Sequence, residues 1–520
     1  MSTDAENRGV SSSSAEKTFP DDSGGGQSTR ESVDGPSIDS PSNEKGNEDK
    51  DPDRYLVVFE GDDDPYCPLN WSVKKKCYTT MLYAFCTFGP QFASSIYSPT
   101  VDDISALYHV SNEVAVLGVS LFLIGVGFGP MIFAPISEMY GRKIGVILPF
   151  FLSGLFAIGV ATADNLQTVL IMRFFEGLFG GAPVSNSGGV LGDVWRPEAR
   201  GVALVCYAYV VAGGPTIGTV VGSAIAISGN DGWRWTNYLC AIYTFIIAIL
   251  SAIFVPETYH PVVLSKKAKK LRVTTQNWAW HSRQDELEMT INDILTKNLI
   301  RPFAMLMTPI VAAMCTYGAF AYGILYLGIV AVPVEFRNLR NWPVVTSSLP
   351  SLGMFVGVVI GGGLNMYVGR RYGRILLANN GKPIPEERLL GTFVGCFLLP
   401  IGLFIFGWTS PPKYPWIAPV IGTLLMTCGF FTIFQGCLNY LVDTFLRYAA
   451  SAIAAATFTR SCFAAGFPLF GTIMFNNLGV PWGASILGFF AIAMIPIPFV
   501  FYRFGPEIRK RNPYSSQVMS

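Results

Sequence analysis

Twelve mostly apolar stretches, each about as long as a membrane is thick, follow one another between Cys77 and Arg503. A helix needs roughly 20 apolar residues to cross a bilayer, and polar segments separate the stretches. The pattern predicts an all-α membrane protein whose twelve transmembrane helices form two six-helix halves. The predicted spans are 77–98, 113–136, 144–163, 166–187, 200–226, 236–256, 302–330, 345–367, 389–408, 416–440, 450–475 and 482–503.

The distribution of lysine and arginine supports this count. With twelve spans, 25 basic residues of the flanks and loops fall on one side of the membrane, and four fall on the other, namely Arg234, Arg337, Arg340 and Lys413. Basic residues accumulate on the cytoplasmic side of membrane proteins. The sequence therefore predicts that both termini are cytoplasmic. Only 14% of the residues are charged, against about 25% in soluble proteins.

The polar segments divide the chain into five regions. Residues 1–70 hold 17 acidic and 6 basic residues and too few apolar ones to form a core, so we predict a disordered acidic cytoplasmic tail. Residues 71–256 form the N-terminal half and residues 302–503 the C-terminal half. The longest interior polar segment, 257–301, is a cytoplasmic central loop, and residues 504–520 form a cytoplasmic C-terminal tail.

Three charged residues lie deep within predicted spans: Arg173 and Glu176 in span 4, and Arg460 in span 11. A charge at the bilayer centre costs at least about 2.5–3.5 kcal/mol on insertion scales, which favours a functional role. Arg173 and Glu176 are three residues apart, so they share one helical face and can pair. A carboxylate beside an arginine could exchange a proton for a cargo. The alternative is a purely structural ion pair that holds span 4 to a neighbour.

A short charged hairpin, residues 134–143, connects spans 2 and 3. Gly141 allows a tight turn, Glu138 lies at the end of span 2, and Arg142 and Lys143 begin span 3. An acid and two bases on adjoining helix ends can form bonds that exist in one gating state and break in the other. The alternative is that these residues only follow the rule that basic residues flank spans on the cytoplasmic side, which would explain Arg142 and Lys143 but not Glu138.

Span 5 carries closely spaced small residues around a proline. Gly214 and Pro215 are followed by Gly218, and Gly222 lies one turn further on. Small residues at this spacing allow helices to approach closely, and a proline interrupts helix hydrogen bonding. Close packing against a neighbouring span is therefore expected here.

At these motifs the chain resembles the major facilitator superfamily, and more narrowly the fungal twelve-span drug:proton antiporters. Residues 134–143 resemble the loop 2–3 motif, with Glu138 in place of the usual Asp and Ala134 in place of Gly. Arg173 to Gly177 resembles the span 4 motif that the family associates with proton coupling. Gly214 to Gly218 resembles the span 5 antiporter motif. The loop after span 8, residues 369–374, keeps its bases without the paired acid, which puts a second cytoplasmic gate in doubt.

The resemblance, which covers residues 65–512, implies the major facilitator fold and a proton-coupled exporter that works by alternating access. The cargo expected from an aromatic cavity with few acids is a small lipophilic or weakly cationic compound, such as a drug, toxin or secondary metabolite. Glu176 and Arg173 are the candidates for proton coupling, and Glu138, Gly141, Arg142 and Lys143 for the cytoplasmic gate. The candidates for the cargo cavity are Gln91, Ser94, Tyr97, Tyr207, Tyr317, Gln435, Asn439 and Arg460.

Other functions remain as alternatives at this point. The same fungal branch includes polyamine:proton antiporters, although a polycation would require several cavity carboxylates. A sugar-type nutrient carrier fits the span 5 motif less well, and a transport-dead receptor does not explain the intact Arg173 and Glu176. The chain has no Gly-x-x-x-x-Gly-Lys-Ser/Thr loop for direct ATP drive. We expect no enzyme activity, cofactor, metal or nucleic-acid partner.

The expected partners are a small molecule, protons and the lipid bilayer. We expect a monomer in the plasma membrane, with the vacuolar membrane as the alternative location.

Overall fold

The computed structural model describes residues 55–61, 64–229, 231–285, 296–379 and 382–515. Most of the predicted acidic tail, residues 1–54, lies outside the described residues. Within them the structure is helical, and its one β-bridge joins Leu56 to His281. The α-helices are α1 Val73–Ile96, α2 Val101–Tyr108, α3 Asn112–Tyr140, α4 Arg142–Ala161, α5 Leu166–Val194, α6 Pro197–Ala226, α7 Gly232–Phe254, α8 His260–Thr275, α9 Arg301–Leu306, α10 Pro309–Asn338, α11 Val344–Ser348, α12 Leu352–Ala378, α13 Leu390–Thr409, α14 Ile417–Thr444, α15 Ala449–Met494 and α16 Pro496–Arg511.

Each predicted span coincides with a long helix. Spans 1 to 6 are α1, α3, α4, α5, α6 and α7; spans 7 to 10 are α10, α12, α13 and α14; spans 11 and 12 lie on α15 and α16. Among the described residues, nine helical segments are long and apolar enough to cross a membrane. One of them, Ala449–Arg511, contains 63 residues and would be about 95 Å long as a single helix, enough for two crossings. Spans 1 and 4 are the more polar helices α1 and α5.

The last two spans are separated at a single glycine. Gly479 has a φ of 75° and a ψ of 159°, which breaks the helical path between Ala449 and Met494. Glycine tolerates this positive φ because it has no Cβ. Spans 11 and 12 therefore follow each other with almost no loop between them.

Span 7 differs from the sequence prediction of 302–330. The helix α10 begins at Pro309, after Thr308 in an extended conformation, and continues to Asn338. Proline is favoured in the first helical turn because it has no N–H to satisfy there. The longer helix brings Glu335, which the sequence had placed in an outer loop, into the packed interior with an exposed fraction of 2%.

The two halves are packed in the same internal order. In the first half, span 1 contacts span 5, span 3 contacts span 6, and spans 2 and 3 both contact span 4. In the second half, span 7 contacts span 11, span 9 contacts span 12, and spans 8 and 9 both contact span 10. This correspondence confirms the two six-helix halves. We call the end that carries residues 134–143 the basic end, and the end that carries Asp102 and Arg337 the opposite end.

The described part of the predicted tail is packed rather than disordered. The amide of Val57 donates to the His281 carbonyl at 2.9 Å, and that of His281 donates to the Tyr55 carbonyl at 3.1 Å. The ammonium of Lys267 on α8 contacts the Asp64 carboxylate at 2.9 Å. These contacts join residues 55–61 and 64–70 to the central loop. The prediction of disorder is therefore wrong for the described part of the region 1–70.

Candidate functional site

The predicted pairing of Arg173 with Glu176 is confirmed. Arg173 Nη1 lies 3.0 Å from Glu176 Oε2, and the two residues have exposed fractions of 0% and 1%. Arg173 also donates to the carbonyls of Gly118 on α3, at 3.3 Å, and Ala93 on α1, at 3.1 Å. One buried side chain of α5 thus joins three helices of the first half.

Two aromatic rings cover this ion pair. The Arg173 guanidinium lies 4.7 Å from the centre of the Tyr97 ring and 4.5 Å from that of Phe122. Guanidinium groups are attracted to ring faces, and more strongly where water is excluded. Tyr97 therefore contacts the charged pair, and its place in the cargo cavity stays a prediction. It is fully buried and shields the charged pair inside the first half.

The glycine after the ion pair has a steric role. A Cβ built on Gly177 would collide with the backbone carbonyl of Phe122, and one on Gly125 would collide with that of Phe174. Helices α3 and α5 therefore touch backbone to backbone beside Arg173 and Glu176. Such close contact restricts the positions that the charged side chains can adopt.

The hairpin at the basic end is held by different acids from the one predicted. Gly141 turns the chain with a φ of 100°. Arg142 Nε lies 3.2 Å from Asp193 on α5, and its guanidinium also donates to Ser137 Oγ at 2.9 Å. The structure shows no hydrogen bond or ion pair of the Glu138 carboxylate with another described residue. The described residues thus show Arg142 bonded to Asp193 and Ser137, and the bond between Glu138 and Arg142 in another gating state stays a prediction.

A second carboxylate, that of Glu257 after span 6, binds the turn itself. Its oxygens accept hydrogen bonds from the backbone amides of Arg142 at 2.8 Å and Lys143 at 3.2 Å. They also accept from the amides of Thr258 and Tyr259, each at 3.0 Å. A carboxylate at the exposed amides of a helix start is favourable because these groups have no helical partner. Glu257 thus joins the start of α4 to the end of α7.

The second half carries a matching arrangement. Arg388, just before α13, lies 2.7 Å from Asp443 on α14, and the hydroxyl of Tyr372 donates to the same carboxylate at 2.7 Å. The Arg388 guanidinium stacks 3.7 Å from the Tyr372 ring centre. The paired acid that the loop after span 8 lacks is therefore supplied by the end of span 10, just as Asp193 is supplied by the end of span 4.

The glycines of span 5 bring α6 against α1, as predicted. A Cβ on Gly214 would lie against Gln91, one on Gly218 against Ser95 and the Phe92 carbonyl, and one on Gly222 against the Ile96 carbonyl. Proline at 215 lies inside the continuous helix α6. The small residues therefore fix the position of α1 from Gln91 to Ile96, the same segment that receives the Arg173 hydrogen bond at Ala93.

Two of the cavity candidates on α1 contact the other half of the molecule. The Tyr326 hydroxyl on α10 donates to Gln91 Oε1 at 3.1 Å and lies 3.1 Å from Ser94 Oγ. On the same interface, Ser120 Oγ donates to the Ala465 carbonyl at 2.7 Å. These polar bonds join the two halves. Tyr326 itself was missed by the sequence analysis, because span 7 is apolar on every side.

The other cavity candidates separate into two groups. Tyr207 donates to Thr87 Oγ1 at 3.1 Å, Gln435 Nε2 donates to Asn439 Oδ1 at 3.3 Å, and all four of Tyr207, Gln435, Asn439 and Arg460 are partly exposed. Tyr317 has an exposed fraction of 1% and belongs to the main apolar core. Tyr317 therefore lies in the packed interior, and its place in the cargo cavity stays a prediction.

Glu335 is a buried carboxylate of a different kind. No hydrogen bond of normal geometry reaches either of its oxygens among the described residues, although the Ser410 hydroxyl and the Arg340 guanidinium lie near it. It borders a cleft with Asn338, Thr472 and Asn476 near the opposite end. Sequence analysis missed it because span 7 was ended at residue 330. The signal in the sequence was a glutamate five residues after the predicted end of span 7, close enough to lie on the same helix if that helix continued.

Comparisons with known proteins agree with this architecture. The family model of the Major Facilitator Superfamily matches residues 83–467. In solved structures, the fold is similar to the proton:xylose symporter XylE bound to 6-bromo-6-deoxy-D-glucose, with a TM-score of 0.60 and 16% identity over 86% of this chain and 100% of that one. An inward-open structure of the xylose transporter XylE from E. coli has a TM-score of 0.58.

The curated relatives are fungal transporters. The chain is 44% identical to the efflux pump bik6 of Gibberella fujikuroi, over 88% of this chain and 95% of that protein. It is 41% identical to the citrinin biosynthesis cluster MFS transporter mrr1 of Monascus ruber, over 89% and 93%. It is 38% identical to the multidrug transporter FLU1 of Candida albicans, over 89% and 76%. The family match and these relatives identify the chain as a membrane transporter, not an enzyme, that belongs to the major facilitator superfamily.

Proposed function

We propose that this transporter is a proton-driven exporter of small lipophilic compounds that works by alternating access. The observation that carries the proposal is the position of the Arg173–Glu176 pair. Arg173 donates to the Ala93 carbonyl, and the next residue, Ser94, contacts Tyr326 of the other half. A change at the ion pair is thus one residue away from a contact between the halves.

Protonation of Glu176 would change that contact. A neutral carboxyl group loses the charge-assisted bond to Arg173, so the guanidinium is freed to shift, and α1 shifts with it. The bonds of Gln91 and Ser94 to Tyr326 join the halves, so their loss favours separation there. Proton binding and rearrangement of the two halves are then linked, which is the requirement for coupled transport.

Three further expectations belong to this proposal. The names of two relatives, an efflux pump and a multidrug transporter, support export rather than uptake. The basic end is placed in the cytoplasm by the positive-inside rule, and the plasma membrane is the proposed location. We propose that the monomer is the functional unit, since each half supplies its own part of the site.

The test is proton-driven efflux by a Glu176→Gln variant. Fungal cells that express the full chain are loaded with Nile red, a neutral lipophilic dye, and release of the dye is followed after the medium is acidified. We expect wild-type cells to release the dye faster than cells without the protein. Glu176→Gln should reach the membrane but release dye at the background rate, because it cannot exchange a proton.

The matched control is Glu113→Gln, an exposed carboxylate at the start of α3, which should behave as wild type. Arg173→Lys keeps the charge but loses the planar fork, so partial activity is expected. Full pH-driven release by Glu176→Gln would remove this carboxylate from the mechanism.

A further inference from the structure

Two arginines lie inside apolar spans, and both contact a pair of aromatic rings. The Arg173 guanidinium packs against the rings of Tyr97 and Phe122. Arg460 lies 5.3 Å from the ring centres of both Tyr322 and Phe434. Since the ring environments are alike, the difference between the two residues lies in their hydrogen-bond acceptors.

Arg173 has acceptors and Arg460 has none among the described residues. The guanidinium of Arg173 donates to one carboxylate and two carbonyls. For Arg460 the structure shows no hydrogen bond and no carboxylate within 4.0 Å in the part of the chain that it describes. A guanidinium has five N–H donors, and a membrane arginine normally pairs with an acid or with carbonyls. The donors of Arg460 are therefore available for a ligand.

Arg460 lies at mid-depth beside the interface of the halves. It is 11 residues after Ala449, the first residue of α15, or about 17 Å along the helix. Its ring partner Tyr322 packs against Tyr326, with 5.3 Å between ring centres, and Tyr326 contacts Gln91 and Ser94 of the first half. Transporters of this architecture bind cargo at that depth, between the repeats.

The described acids of the surrounding helices are engaged elsewhere or lie at the ends. Glu176 is paired with Arg173, Asp193 with Arg142, and Asp443 with Arg388. Glu335 borders the cleft near the opposite end. The centre of the molecule therefore presents a positive charge and a cluster of aromatic rings, Tyr322, Tyr326, Phe430 and Phe434.

We propose that Arg460 binds the acidic group of the cargo, and that the cargo is a lipophilic aromatic organic acid transported as its anion. The inference rests on the proposed exporter function and names its substrate class. A guanidinium binds a carboxylate through two parallel hydrogen bonds, and the surrounding rings stack on a flat aromatic framework. This assignment replaces the weakly cationic cargo expected from the sequence, since a cation would meet the charge of Arg460.

The experiment measures binding to the purified full-length protein in lipid nanodiscs at pH 7.4. The probes are 2-naphthoate, an aromatic carboxylate, and 2-naphthamide, its neutral analogue of nearly the same shape. We expect wild type to prefer the carboxylate by about tenfold or more, as a two-point charged bond implies. Arg460→Met should remove that preference and leave 2-naphthamide binding within about twofold of wild type. Arg460→Lys should retain part of the preference.

The matched control is Arg503→Met, an exposed arginine on α16 beside Phe504, which should keep the full preference. Equal binding of the two probes by wild type would overturn the inference, and that measurement does not depend on any variant folding. Equal losses for both probes in Arg460→Met would also overturn it, because they indicate a packing role.

The outcome can be separated from that of the proposed function. If acidification drives Nile red release but wild type shows no carboxylate preference, the exporter stands and the assignment of Arg460 falls. If the carboxylate preference depends on Arg460 but acidification drives release of neither Nile red nor 2-naphthoate, the anion site stands and the proton-driven exporter falls.

Discussion

Arg142 and Arg388 occupy matching places in the two halves, and each binds an aspartate from the end of a different span. Arg142 contacts Asp193 of span 4, and Arg388 contacts Asp443 of span 10. Both ion pairs are only partly exposed, so the surrounding protein screens them less than a surface pair. Glu138, which the sequence favours, has no such partner among the described residues. We therefore expect gating at this end to depend on the two aspartates rather than on Glu138.

The first prediction compares Asp193→Asn with Glu138→Gln. Charge-assisted hydrogen bonds contribute about 1.5–3 kcal/mol, enough to shift a two-state equilibrium roughly tenfold or more. Asp193→Asn should therefore favour the state open at the basic end, with slower efflux, whereas Glu138→Gln should be close to wild type. Labelling of single cysteines near Asp102, at the opposite end, measures the shift. Reduced labelling in Glu138→Gln but not in Asp193→Asn would contradict this assignment.

The second prediction compares the two buried glutamates of the spans. Glu176 is paired with Arg173, whereas both Glu335 oxygens lack hydrogen-bond partners among the described residues. Leaving a buried polar group unpaired costs about 1–3 kcal/mol. Glu335→Met should therefore raise the melting temperature of the purified protein, and Glu176→Met should lower it because Arg173 is left unpaired. A lower melting temperature for both variants would show that Glu335 has a partner in the membrane.

At the scale of elements, helix α1 is fixed from two sides. Glycines of α6 press against it from Gln91 to Ile96, and Arg173 of α5 binds its carbonyl at Ala93. Its remaining face reaches α10 through Tyr326. A shift of α1 would therefore change its contacts with Arg173, with α6 and with the other half at the same time.

The third prediction concerns two glycines of α6. A Cβ on Gly218 would collide with the Phe92 carbonyl, whereas one on Gly213 would make ordinary contacts of 3.4–4.0 Å with the side chains of Ile217, Phe355 and Phe88. Overpacking in a tight contact costs about 1–3 kcal/mol. Gly218→Ala should lower the melting temperature and slow Nile red release, and Gly213→Ala should do neither. Equal effects of the two substitutions would argue against the close contact as the cause.

At the scale of the whole molecule, the segment of residues 55–61 and 64–70 binds the central loop through the buried Lys267. Burial raises the pKa of Asp64, but the amides of Glu60 and Tyr66 and the ammonium of Lys267 outweigh it, so the pKa lies below 3.8. Burial lowers the pKa of Lys267, but Glu60 and Asp64 outweigh it, so this pKa lies above 10.5. Both groups are therefore charged, and attract each other, at neutral pH.

The fourth prediction follows from the directions of these two pKa shifts. Docking of the segment should be constant from about pH 5 to pH 9, weaken as the pH falls through the lowered pKa of Asp64, and weaken again above the raised pKa of Lys267. At pH 7, Lys267→Met should expose the partly buried Phe59 to a chymotrypsin-type protease. Lys266→Met, the exposed neighbour on the same helix, should not. Equal protection in both variants would show that the segment is held by other contacts.

The features that sequence could predict are local ones. The spans follow from runs of apolar residues, and the Arg173–Glu176 pair follows from a separation of three positions on one helix. Contacts between distant positions could not be predicted: Arg142 binds Asp193 and Glu257, which are 51 and 115 residues away. Nor could the sequence distinguish Tyr97 and Tyr317, which are buried, from Tyr207, because spans that are apolar all round give no periodicity that marks the cavity side.

The charge of Arg460, which has no acidic partner among the described residues, bears on whether the membrane voltage can drive transport. If one proton enters for each monovalent organic anion that leaves, two positive charges move inward per cycle. A cell interior that is negative by 100 mV then contributes about 2.3 kcal/mol for each charge, or about 4.6 kcal/mol per cycle. Exchange of a proton for a monovalent cation would gain nothing from the same voltage. Export of an anion bound by Arg460 would thus make the membrane voltage a driving force beside the pH gradient, and we expect collapse of the voltage at constant pH to slow export.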